Sequence, residues 1–145
     1  MLCRTRVEEF FDFYQKLDKN CTVSLQSFYA RDVVFIDPLH TIQGLEALIA
    51  YFDKLYARVE SIHFEFDEPD LVGERCWCTW LMTFQHPRLH RGRAIQVEGA
   101  SCLDWQAGKV IRHRDFFDAG QLLYEQVPLL GGAIRLLKQR LVRST

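Results

Sequence analysis

Three side chains in this sequence have the types and spacing to move protons: Asp37, which ends the apolar run Val33-Val34-Phe35-Ile36, and His113 and Asp115, which lie two apart in Ile111-Arg112-His113-Arg114-Asp115-Phe116-Phe117. Alternation along a strand puts Phe35 and Asp37 on one face of the first run, with Val34 and Ile36 on the other. The same rule gives His113 and Asp115 a shared face with Ile111 and Phe117, opposite Arg112, Arg114 and Phe116. Burial among aromatics favours the protonated form of a carboxyl, and a facing imidazole acts back on it; such pairs supply general acids and bases near neutral pH. Each residue also has a plainer reading. Asp37 can open a turn before Pro38, Asp115 can pair with Arg112 or Arg114, and His113 can be a hydrogen-bonded core residue.

The elements that must position these groups follow from hydrophobic periodicity. Val7, Phe10, Phe11, Phe13, Tyr14 and Leu17 recur at helical spacing. Thr22 is a candidate N-cap for a short second helix through Val23, Leu25, Phe28 and Tyr29, with the first strand following at Val33. Pro38 removes a backbone donor and stops that strand. A loop leads to Gly44 and to a third amphipathic helix carrying Leu45, Leu48, Ile49, Phe52, Leu55 and Tyr56.

After Val59 the period falls to two, which predicts an antiparallel meander covered on one face by the helices and hence an α+β fold. Ile62, Phe64 and Phe66 share a face, as do Cys76, Cys78, Trp80, Met82 and Phe84, and then Ile95, Val97, Gly99, Ser101, Leu103 and Trp105. Gln106-Ala107-Gly108 is the last turn. Asp37, His113 and Asp115 are expected to face one cavity lined by Phe35, Trp80, Phe84, Val97, Ser101 and Phe117. Beyond Asp118 the pattern is helical again, broken at Pro128. From Leu129 to Val142, Leu130, Ala133, Ile134, Leu137 and Leu141 form a stripe beside Arg135, Lys138, Arg140 and Arg143. Such a helix either lies on a membrane surface or covers an apolar edge or cavity mouth of its own domain or of a partner subunit.

Composition narrows the partners. The chain has 145 residues, enough for one domain with a proper core, and 18 basic against 19 acidic side chains give a net charge of −1. No global field attracts nucleic acid or an anionic membrane, and no apolar run is long enough to insert stably in one. The hairpin tip His86-Pro87-Arg88-Leu89-His90-Arg91-Gly92-Arg93 concentrates cations, but no aromatic stacking platform is interleaved with them. The 11 Phe, 5 Tyr and 3 Trp suit a lined cavity as well as a core. Cys3, Cys21, Cys76, Cys78 and Cys102 are odd in number, and the N-terminus lacks a signal-like apolar run, so a reduced, cytoplasmic protein is expected. Cys76 and Cys78 read as small buried thiols rather than zinc ligands.

The helices, the strand ending in Asp37-Pro38, the long meander and the last strand Gly108-Lys109-Val110-Ile111-Arg112-His113-Arg114-Asp115-Phe116-Phe117-Asp118 together resemble the nuclear-transport-factor-two-like cone fold. Its members include ketosteroid isomerases, SnoaL-like polyketide cyclases and limonene-epoxide hydrolases. The resemblance covers residues 7–120, so the whole chain, 1–145, is expected to be one SnoaL-like domain with a helical extension over 121–145. It implies a curved antiparallel sheet wrapped around three N-terminal helices, a homodimer formed through the outer sheet face near Trp77, Leu81 and Glu98, and a small hydrophobic ligand with no cofactor and no metal. The segment Phe28 to Pro38 is similar to the ketosteroid isomerase segment whose last aspartate abstracts a proton beside a ketone, which places Asp37 at that base. Phe13 falls where those isomerases carry an oxyanion tyrosine; Tyr14 lies about 100° further round the helix. Ser101, or Ala100 if the preceding turn is counted differently, falls where they carry a protonated aspartic acid. The epoxide hydrolases match at the other end, where Asp115 falls on the aspartate that activates water. The implied activity is cofactor-independent isomerisation, cyclisation or hydration with Asp37 as base, Asp115 as second acid or base, and His113 stabilising charge. A non-catalytic ligand-binding or interaction module of the same fold is the alternative.

Overall fold

The structure is a computed structural model that describes residues 1–17, 22–122 and 129–144. Helix α1 (Arg4–Gln15) buries Val7, Phe10, Phe11 and Tyr14, the inward stripe of its 3.6-residue period. A 3-10 turn over Thr22–Ser27 leads into β1 (Tyr29–Ile36). Tyr29 therefore opens the strand instead of closing a helix, because the 3-10 turn ends at Ser27 and Tyr29 already pairs with Val110. A short strand β2 (Thr41–Gln43) occupies what reads in sequence as loop, followed by α2 (Leu45–Arg58), which buries Leu48, Phe52 and Tyr56. Gly44 enters α2 at φ +90°, a conformation that side-chain-bearing residues rarely adopt, while its N–H donates to the Val33 carbonyl at 2.8 Å.

The meander consists of β3 (Ser61–Phe66), a short β4 (Asp70–Val72), β5 (Arg75–Gln85), β6 (Ile95–Gln106) and β7 (Lys109–Phe117). The strand order is β2-β1-β7-β6-β5-β3, with β4 also on β5; β1 joins β7 in parallel and the other pairs are antiparallel. The helices lie in the hollow of this curved sheet. Arg6 fastens α1 there: its Nε donates to the Gly108 carbonyl at 2.9 Å, a second nitrogen donates to the Ser27 carbonyl, and the guanidinium sits 4.5 Å from the centre of the Phe28 ring.

Inward and outward residues alternate on β5 and β6 as the sequence predicts. On β7 a register shift opposite Asp104 and Trp105 inserts one extra residue. Val110 is therefore fully buried and Ile111 only half-buried, and the inward phase of the strand resumes at His113. A short helix α3 (Ala119–Leu122) closes the sheet end, and α4 (Leu130–Ser144) follows. Helix α4 does not cover an apolar edge or cavity mouth of its own domain, one of the places expected for this tail: it buries only Gly131, and Leu136, Leu137 and Leu141 stand exposed. The helical positions Leu123 and Tyr124, the break at Pro128 and Cys21 lie outside the described residues.

Candidate active site

The inward face of β7 presents His113 and Asp115, and the neighbouring strands fix what they meet. The antiparallel register sets Ser101 of β6 directly across from Asp115, and the parallel register sets Phe35 of β1 beside His113. His113 is 3 % exposed and its ring packs 4.8 Å from that of Phe35 and, nearly parallel, 5.9 Å from that of Tyr29. Such a polar group has to be hydrogen-bonded within the protein.

It is, as part of a continuous chain. Tyr14 and Tyr29 share a hydroxyl–hydroxyl bond of 2.7 Å; the Tyr29 hydroxyl lies 2.8 Å from His113 Nδ1, and His113 Nε2 lies 2.6 Å from Asp115 Oδ1. From the other side Trp80 Nε1 donates to Ser101 Oγ at 2.9 Å, and Ser101 donates to the same Asp115 Oδ1 at 2.5 Å. With the His113 hydrogen on Nε2, Tyr14 donates to Tyr29, the Tyr29 and Ser101 hydroxyls each accept one bond and donate one, and every donor points toward the carboxylate. If His113 takes a second proton on Nδ1, Tyr29 and Tyr14 can reverse to accept it in turn. Burial raises both phenols well above their usual range; Asp115 adds to this for both and the neighbouring Tyr29 for Tyr14, while the hydrogen bond with Tyr14 acts the other way on Tyr29 without reversing the direction, so both remain neutral hydroxyls.

Asp115 Oδ1 thus takes both charge-orienting donors. No bond to Oδ2 is formed among the described residues, and the Asp115 side chain is 17 % exposed against 3 % for His113. What it faces is a cavity of about 510 Å³ between the sheet and helices α1 and α2. Among the described residues, twelve of its wall residues are aromatic, including Phe10, Phe64 and Phe117.

Asp37 lines the same cavity but is differently engaged. Its Oδ1 accepts the backbone N–H groups of Leu39 at 2.8 Å and His40 at 2.7 Å and lies 3.2 Å from His40 Nδ1, while Oδ2 accepts from the Tyr51 hydroxyl at 3.3 Å. The carboxylate closes the turn between β1 and β2, the role that an aspartate before proline commonly takes. Burial, together with Asp37, pushes the Tyr51 phenol upward and keeps it a donor.

Of the residues expected to surround the site, Tyr14, Phe35, Trp80, Phe84, Ser101 and Phe117 line the cavity, as do Asp37, His113 and Asp115. Phe13 does not: its ring stacks on Phe28 at 4.9 Å, and the tyrosine that reaches the site is Tyr14, because the face of α1 turned into the hollow is the one that carries Phe10 and Phe11. Val97 is fully buried without reaching the cavity wall. Sequence reasoning misses Tyr29, read as helical, and Tyr51, which lies off the main stripe of α2; the available signal for Tyr29 was its place before a β-rich run. Neither Asp115 nor His113 is paired with Arg112 or Arg114, which occupy the outer face. Among the described residues, no cluster of three or more His, Cys, Asp or Glu side chains could hold a metal ion, and no helix is long and apolar enough to cross a membrane.

The profile of the SnoaL-like domain family matches residues 7–113. No curated protein matches the chain in sequence. Similar solved structures include TsrD from Streptomyces laurentii, with a TM-score of 0.74 and 16% identity over 87% of this chain and 97% of that one. An NTF2-like protein of unknown function from Burkholderia pseudomallei gives a TM-score of 0.73 and 16% identity over 84% and 96%. A protein from Shewanella putrefaciens assigned to the SnoaL-like polyketide cyclases gives 0.68 and 16% over 81% and 93%. At such identities the likeness establishes the fold.

Proposed function

Since the chain belongs to the family of SnoaL-like domains, we propose that it binds a small, mainly hydrophobic molecule in the inner cavity. Asp115, backed by His113, acts there as a general base in a cofactor-independent isomerase-, cyclase- or hydratase-type reaction. The observation that carries this reading is the one-sided engagement of Asp115: two donors converge on Oδ1, no bond to Oδ2 is formed among the described residues, and the side chain lines an aromatic-walled space of about 510 Å³. A base so placed is oriented before the substrate arrives. When Oδ2 takes a proton from carbon beside a carbonyl, His113 and Ser101 keep their bonds to Oδ1, and the chain through Tyr29 to Tyr14 can redistribute charge at the imidazole. Asp37, whose oxygens already serve the turn and Tyr51, shapes the cavity mouth.

Non-catalytic binding is the second reading, favoured by the continuity of the hydrogen-bond chain from Tyr14 to Asp115, since a connected polar network also serves simply to fix a core. We further propose a homodimer formed through the outer face of the sheet, where Trp77 and Phe116 stack with ring centres 5.9 Å apart, each 41% exposed.

The two functional readings separate on α-hydrogen exchange of β-tetralone, a flat hydrophobic ketone, followed by NMR in deuterated buffer. The enzyme reading expects exchange on the order of a hundredfold or more above buffer, abolished in Asp115→Asn. Saturable binding without exchange leaves the binding module; neither binding nor exchange removes both for this class of ligand.

A further inference from the structure

The outer face of the sheet and the C-terminal helix are each unaccounted for by the inner cavity, and their chemistries are complementary. The outer face carries a groove of about 610 Å³ whose walls include the carboxylates of Glu65, Asp67 and Glu98 beside Leu81, Ala100 and Phe116 and, among the described residues, no lysine or arginine. Helix α4 has the opposite character. It contains Arg135, Lys138, Arg140 and Arg143 and no acidic residue, and Leu130, Leu136, Leu137 and Leu141 along it are 47, 49, 59 and 68 % exposed. In its own chain α4 is tied by Lys138 Nζ, which donates to Asp118 Oδ2 at 2.8 Å just past the end of β7, and this leaves the leucine stripe uncovered.

We propose that α4 of one chain seats in the acidic outer-face groove of a second copy, with Leu137 and Leu141 against Leu81 and Phe116 and with Arg140 and Arg143 beside Glu98 and Glu65. The dimensions agree. Fifteen helical residues span roughly 22 Å, and the four strands β3, β5, β6 and β7 present a face roughly 14 Å across, so the helix can cross the groove from edge to edge. In a two-fold pair the exchange is reciprocal, which gives two such seats per dimer and covers both exposed surfaces at once. Charge sets the orientation of the seat, because the helix cations meet Glu65 and Glu98 on one side of the groove, while Arg114, whose guanidinium lies 4.6 Å from the centre of the Phe116 ring, marks the edge that the cations must avoid. This inference rests on the homodimer proposed above and adds which element lies on the partner.

The test is sedimentation velocity of the full chain with two charge reversals, Arg140→Glu with Arg143→Glu in one variant and Glu65→Lys with Glu98→Lys in another. All four positions are exposed, and circular dichroism checks that both variants fold. The expected result is a wild-type dimer that each reversal weakens at least tenfold, and whose stability returns when the two variants are mixed in equal amounts, since each reversed helix then meets a reversed groove. A dimer indifferent to both reversals keeps the pairing but overturns the helix seat. Dissociation without recovery on mixing also overturns the seat, and a wild-type monomer overturns both. If the monomer instead sediments with phosphatidylserine vesicles, and only the helix reversal prevents this, the helix serves a lipid surface and the proposal fails.

Discussion

His113 Nε2 lies 2.6 Å from Asp115 Oδ1, although the two residues are neighbours on the same face of a single strand. Same-face neighbours on a strand are about 7 Å apart at Cα, so the imidazole leans along β7 to close the distance, and Phe35 and Tyr29 hold it there from β1. The pair is preset by the sheet and independent of any loop.

Asp115→Asn keeps an acceptor for His113 and Ser101 but removes the negative charge that makes the residue a base. The fold is expected to survive, with unfolding free energy changed by no more than about 2 kcal/mol, while α-hydrogen exchange of β-tetralone falls by a factor on the order of a hundred or more. Equal exchange rates for the variant and the wild type would transfer the chemistry to another residue, and Asp37 is then first in line.

Tyr29→Phe removes the link in the middle of the chain. Tyr14 and the Nδ1 of His113 then lose their shared partner in a region where Tyr29 itself has no solvent exposure. The cost is expected at roughly 1–3 kcal/mol of stability by urea unfolding, larger than for Tyr51→Phe, whose hydroxyl makes only a 3.3 Å bond to Asp37.

Gly99 stands opposite Trp80 in the β5–β6 register, and a Cβ there would fall 2.3 to 2.8 Å from three carbons of the indole ring. Gly99→Ala must therefore displace Trp80, at a cost of about 1–3 kcal/mol. The displaced ring lengthens or breaks the bond from Trp80 Nε1 to Ser101. The indole N–H resonance reports this directly: a large shift in Gly99→Ala supports the arrangement, and an unmoved one contradicts it.

Alkaline pH offers a test of the core beside the site. Burial pushes the Cys76 thiol up to about 11 and the Cys78 thiol to about 12, from the usual 9.0. Above pH 9 the unfolded chain releases protons that the folded chain retains, so the unfolded state binds fewer protons and stability falls as pH rises. The loss runs from about pH 9 to between 11 and 12, at up to about 1.4 kcal/mol per pH unit for each thiol. The buried tyrosines act in the same direction at higher pH. Urea midpoints measured across that range should decline steadily, and less steeply in Cys78→Ala; a flat profile would mean that the thiols reach solvent.

Period-two alternation makes the inward sets on β5 and β6 legible, so Trp80, Phe84 and Ser101 follow from spacing alone, as do His113 and Asp115 on β7. The extra residue on β7 is not legible, because a bulge arises from the pairing of two strands and neither sequence carries its period. Tyr29 is lost for a related reason: Leu25, Phe28 and Tyr29 have helical spacing, yet parallel pairing with β7 claims Tyr29 for the sheet. The strands β2 and β4, three residues each, are too short to show a period. The choice between Phe13 and Tyr14 depends on the rotation of α1 about its axis, which is set by packing of Phe10 and Phe11 in the hollow and by the tether at Arg6.

The most direct test of the account is the crystal structure of the chain soaked with β-tetralone. The prediction is a ligand ring inside the aromatic cavity with its α-carbon within about 3.5 Å of Asp115 Oδ2, and Oδ1 still held by His113 and Ser101. A ligand lodged at the mouth against Asp37 and His40, or an Asp115 whose two oxygens are both turned away from it, would contradict the assignment.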